Sequence, residues 1–95
     1  MGSYKLSEDA QSDLIRIHQR GVRLYGEAQA DKYFYDFFDR FEQLAEQPYL
    51  YQAVDDIREG YRRSVCGVDN IYFRVDGDTV VIMSILGQQD VDGWL

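Results

Sequence analysis

The spacing of apolar residues changes from helical to alternating at the chain's one proline, Pro48, and this change most narrows what the chain can fold into. Before it, Ala30, Phe34, Phe37, Phe38, Phe41, Leu44 and Ala45 recur at helical spacing and mark one broad apolar helix face. Asp31, Asp36, Asp39 and Glu42 fall off that face. Gln47 precedes the proline and is pushed out of helical geometry, so the helix stops there. Beyond a loop rich in Tyr and Asp, residues 49–56, the period becomes two. The runs "IREGYRRSV", "NIYFRV" and "TVVIMSIL" predict three strands. Asp76-Gly77 is a strong turn signal between the last two, and Gly67 with Asp69 and Asn70 supplies the turn before them.

Upstream, Ser7 predicts an N-cap, and Glu8 and Asp9 follow in the first turn, where the helix dipole favours acids. Ala10, Leu14, Ile17, Gly21 and Leu24 then trace one buried helical face, and Gly26 ends it. With only a glycine junction, the two helices are expected to form an antiparallel hairpin. The opening "YKLS" alternates and reads as an edge strand. The expectation is therefore one α+β domain over residues 1–95 in the order βααβββ, with an antiparallel sheet packed against an N-terminal helical hairpin. The hairpin spans about residues 8–47, the three-stranded meander about 57–86 and a C-terminal tail 87–95.

The formal net charge of −7 opposes general or sequence-specific nucleic-acid binding, because that affinity comes mostly from neutralising phosphates. Only residues 57–75 reverse the sign, with four arginines against Glu59 and Asp69. The lone Cys66 precludes an internal disulfide and reads as a small buried hydrophobe. "MGSYKLS" lacks the apolar stretch of a signal peptide, and "TVVIMSIL" is far short of a membrane span, so a cytoplasmic location is expected.

Catalytic signals are sparse. His18 is the single histidine and has no Ser or Cys beside it in sequence; a lone helical His more often packs than catalyses. One His and one Cys make no metal signature, and neither a P-loop nor a dinucleotide-binding glycine pattern is present. No metal or cofactor is expected.

Strand alternation splits the arginine pair. Tyr61, Arg63 and Val65 fall on one face, and Arg62, Ser64 and Cys66 on the other; Arg74 leaves the Ile71/Phe73/Val75 face. These arginines either pair with acids of the helices and loops, or offer a docking surface whose planar forks bind carboxylates. The phenylalanine stripe suffices as core. Tyr33, Tyr35, Tyr49 and Tyr51 exceed what one thin sandwich buries, so some of them are candidates for a partner groove. Trp94 in the tail is a candidate anchor, or docks on the protein's own surface.

Together, "YKLSEDAQSDL", the helix ending "LAEQP", "IREGYRRSV", "IYFRVDGDTVVIMSIL" and a closing Asp resemble the ParE toxins of the RelE/ParE superfamily, which belong to bacterial type II toxin–antitoxin systems. The resemblance runs from Tyr4 to Asp90, and "REGYRRSV…IYFRV" is its most specific part. It implies the βααβββ arrangement, a cytoplasmic location and a ParD-like antitoxin. The antitoxin's N-terminal part would be a DNA-binding dimer, and its C-terminal segment would wrap the toxin in a hetero-oligomer. Studied ParE members are similar in blocking DNA gyrase, whereas RelE members cut mRNA on the ribosome. Many members carry a histidine after the last strand, as "ILH"; here that position is Gly87. Without it the general acid–base group of the nucleases is missing, and arginine alone moves protons poorly near neutral pH. The resemblance thus implies a gyrase-directed toxin with no catalytic residue. A RelE-type mRNA interferase is the alternative, followed by a degenerate toxin acting only in an antitoxin co-repressor complex. Arg58, Arg62, Arg74, Tyr33, Phe37 and Trp94 are the expected antitoxin- or target-binding residues.

Overall fold

The computed structural model describes residues 2–87. Strand β1 (Ser3–Leu6) leads into helices α1 (Glu8–Tyr25) and α2 (Glu27–Glu46), and a short 3-10 turn over Pro48–Leu50 follows. The strands β2 (Gln52–Ala53), β3 (Tyr61–Cys66), β4 (Asp69–Asp76) and β5 (Thr79–Gly87) complete the chain. As expected, Ser7 caps α1, and its Oγ accepts the Ala10 N–H at 3.0 Å. Gly26 alone joins the helices at φ 91°, ψ 165°, a conformation nearly reserved for glycine.

Both helices pack on one face of the sheet. Ala10, Leu14 and Ile17 of α1 meet Phe37, Phe41 and Leu44 of α2 over Cys66, Ile71, Phe73, Val80, Ile82 and Ile85. Phe37, Phe41, Phe73 and Ile82 have no exposed surface, and truncating a phenylalanine buried in this way typically costs about 3–5 kcal/mol. Leu24, expected on the buried face of α1, is 58% exposed in the helix's last turn, where it lines a cleft.

The sheet has the order β1-β5-β4-β3-β2 and is mixed rather than antiparallel. β2, β3, β4 and β5 are antiparallel neighbours, but β1 joins β5 in parallel, with Ser3 opposite Thr79 and Leu6 opposite Ile82. The alternation in "YKLS" shows which side chains face the core. It carries no information about the strand's partner or direction, which the two intervening helices decide by returning the chain. β3 also starts later than expected, at Tyr61. Residues 54–60 instead turn tightly: Val54 C=O accepts the N–H groups of Ile57 and Arg58, and Asp55 Oδ1 accepts Gly60 N–H at 2.8 Å. Gly60 at φ 81° completes that turn.

Candidate functional site

Among the described residues, no helix covers the sheet's second face. That face carries its own small apolar cluster, in which Val54, Tyr61 and Tyr72 are buried and Ile57, Met83 and Leu86 pack partly against them. Strand alternation puts Arg63 and Arg74 on this side. In register Arg63 stands opposite Tyr72, and Arg74 opposite Tyr61. Arg58, from the preceding turn, lies over the Tyr61 ring at 5.6 Å. Arg58, Arg63 and Arg74 are therefore grouped around two tyrosines.

Arg62 stands apart from that group. Its side chain leaves on the helix side, where Nη1 donates to Tyr51 C=O at 2.7 Å and the guanidinium stacks over Tyr49 at 4.8 Å. Arg62, expected beside Arg74, thus lies on the other face, and the group contains Arg63 instead; strand parity separates Arg63 from Arg62, and the β3–β4 register joins it to Arg74. The remaining pairing also divides the arginines. Arg63 donates to the neutral Gln52 Oε1 at 3.0 Å and forms no ion pair among the described residues. Arg74 approaches Asp76 only at 3.8 Å, with both side chains substantially exposed, and such a pair is worth little.

Phe37 was expected to touch a partner, yet it is fully buried between the layers and serves packing alone. Tyr33 turns its hydroxyl inward, donating to Cys66 C=O at 2.6 Å with Asp69 Oδ2 at 3.0 Å. Its one proton is shared between two acceptors. Burial pushes the Tyr33 phenol well above its ordinary range, and the Asp69 carboxylate beside it adds to the rise. Asp69 read as a turn acid in the sequence; it is instead 1% exposed and takes Arg20 Nη2 at 3.1 Å. Its Oδ1 has no hydrogen-bond partner among the described residues. Gly67 turns directly above Tyr33 at φ 61°, where a Cβ would meet the ring at 2.5 Å. Ile17, Gly21, Ala30 and Val68 surround Arg20 and Tyr33 in a cleft of about 240 Å³ at the hairpin's turn end. Trp94 lies outside the described residues.

Among the described residues, neither the histidine nor the cysteine lies on the arginine face. His18 sits in the helical layer, where Nε2 meets Asp31 Oδ1 at 2.7 Å and the ring packs edge-on against Phe34. Cys66 is buried under α2; burial pushes its thiol up, partly offset by Arg40 and reinforced by Asp36 and Asp69. That is the setting of an inert thiol. Among the described residues no group of three His, Cys, Asp or Glu is placed to hold a metal ion, and no helix is long and apolar enough to cross a membrane.

Residues 4–91 match the family described as the ParE toxin of the type II toxin-antitoxin system, parDE. The chain belongs to the ParE toxin family. Toxin ParE1 of Mycobacterium tuberculosis is 33% identical over 91 residues, covering 94% of this chain and 93% of that protein. Toxin ParE1 of Caulobacter vibrioides is 34% identical over 88 residues, covering 93% and 91%. A chain of the solved chromosomal ParDE TA system from P. aeruginosa superposes with a TM-score of 0.80 at 25% identity, covering 92% of this chain and 96% of that one. The resemblance read from the sequence and the helical hairpin over a sheet are both borne out. In this ParE-family chain, Arg58, Arg63 and Arg74 gather around Tyr61 and Tyr72 on the sheet face that no described helix covers.

Proposed function

We propose that this ParE-family toxin arrests growth by binding DNA gyrase, without chemistry of its own, and is neutralised in the cytoplasm by a ParD-like antitoxin. The observation that carries the reading is the composition of the second sheet face. Arg63 and Arg74 stand there without a strong carboxylate partner among the described residues, while the protein's single histidine is held by Asp31 in the other layer. Planar guanidinium forks bind carboxylates or phosphates in bidentate fashion, and they are poor acid–base catalysts. The relatives named ParE1 and the ParDE structure support the toxin and antitoxin roles. Gly87, buried and opposite Asp69 at the end of β5, occupies the position where a histidine would make a nuclease more plausible.

The test is supercoiling of relaxed plasmid by gyrase and ATP, with toxin added in increasing molar ratio. Inhibition relieved by a co-purified antitoxin is expected. Full supercoiling at large excess of folded toxin, together with codon-associated mRNA cuts in a translating lysate, would replace this reading with ribosome-dependent cleavage.

A further inference from the structure

Strand β1 covers only the first part of β5. Their pairing stops at Leu6 opposite Ile82, with one further bond from Ser7 N–H to Ile82 C=O. β5 runs on to Gly87, so among the described residues its edge from Met83 onward has no neighbouring strand on that side. An uncovered edge of this kind invites pairing with another chain. Three side chains continue the ladder in place of a strand. Ser7 Oγ donates to Met83 C=O at 2.8 Å, Ile85 N–H donates to Asp13 Oδ2 at 2.9 Å, and Arg16 Nη2 donates to Ile85 C=O at 3.0 Å. The other Asp13 oxygen, Oδ1, meets the same Arg16 Nη2 at 3.5 Å, so the two form one fork with a donor and an acceptor facing the strand.

The fork presents Ile85 with what a paired strand would present, an acceptor for its N–H and a donor for its C=O. The spacing explains why α1 can do this. Asp13 and Arg16 are three residues apart and share one helix edge, on the flank beside the buried positions Leu14 and Ile17. Hydrogen bonds across the helix–sheet boundary are not required for packing, since the apolar stripe already holds the layers together. Arg16 is 43% exposed and Asp13 17%, so solvent, and therefore another chain, reaches this edge. We infer that Asp13 and Arg16 act as a surrogate edge strand that closes the second half of β5 and keeps the isolated toxin from pairing with a second copy of itself there. The inference does not depend on which target the toxin binds.

Amide hydrogen exchange on the full chain tests it, with Phe73 in the central strand β4 as internal control. In Asp13→Ala the Ile85 amide is expected to exchange at least tenfold faster while Phe73 is unchanged; Asp13→Asn, which keeps an acceptor oxygen, restores protection. The Asp13→Ala/Arg16→Ala double variant is expected to dimerise at concentrations where the natural sequence is monomeric by light scattering, with Ile85 protected again in the dimer. Should the double variant lose its fold, Arg16→Ala alone, at a partly exposed position, carries the self-association test. Unchanged Ile85 exchange in Asp13→Ala overturns the inference. So does a folded Arg16→Ala or double variant that stays monomeric.

Discussion

Replacing Arg20 by Met leaves the stem that lines the cleft but removes the only cation on Asp69 among the described residues. Asp69 is 1% exposed and, among the described residues, its Oδ1 already lacks a hydrogen bond, so the side-chain support that remains there is the Tyr33 hydroxyl, itself shared with Cys66 C=O. Removing one partner of a buried pair costs about 3–5 kcal/mol; Arg20 is 32% exposed and water reaches one side, so the lower end, about 3 kcal/mol, applies. Domains of this size hold about 5–15 kcal/mol in total, and each kcal/mol moves the melting temperature by about 4–8 °C, so a drop of about 12 °C or more is expected. Urea unfolding followed by circular dichroism at pH 7 measures it, with the slope unchanged if the loss is in the native state. Arg20→Met/Asp69→Asn should recover most of the loss, because the amide still accepts from Tyr33 and buries no charge. A single variant losing less than about 1 kcal/mol, or a double variant worse than the single, refutes the argument that an uncompensated buried charge drives the effect.

Other outcomes follow from the same geometry. Ser7→Ala removes both the α1 cap and the bond to Met83, and should cost about 1–2 kcal/mol in the same titration, with Ser7→Thr retaining most of it. Tyr33 is raised in the fold, so its contribution is fully present below the ordinary tyrosine value near about 10 and is lost as pH climbs toward the folded value. Alkaline absorbance titration should therefore show one tyrosine ionising late and together with unfolding, and Tyr33→Phe should abolish that late step. Arg63→Ala/Arg74→Ala should weaken antitoxin or target binding by tenfold or more, about 1.4 kcal/mol, with little effect on melting. Arg62→Ala should do the reverse, because Tyr51 C=O and the Tyr49 ring already occupy that guanidinium; calorimetric binding that fell equally in both variants would contradict the division of faces.

Much of the architecture was readable from short-range pattern, and the misses share one cause. Ser7, Gly26 and Pro48 act on the backbone within a few residues, so both helix boundaries followed from local chemistry. Gly77 at φ 61° turns β4 into β5 for the same reason. The start of β3 was misplaced because Ile57 fits an alternating pattern, while the competing Asp55–Gly60 turn depends on a side chain folding back on the backbone. Asp69 looked like a turn residue because one flanking glycine suggests that; its partners, Arg20 and Tyr33, lie far upstream in two different helices. The candidate site was half legible. Parity separated Arg62 from Arg63, but which face the helices would cover was needed to group Arg63 with Arg74.

The sequence by itself determined two amphipathic helices, a meander of strands and the alternation of every strand side chain, because each rests on contacts a few bonds or one turn away. Only the tertiary structure decided that β1 runs parallel to β5, that Asp69 is a buried ion, and that Asp13 and Arg16 finish an open strand edge. Those outcomes depend on which distant segments the helical hairpin brings together, and no local period in the sequence encodes that distance.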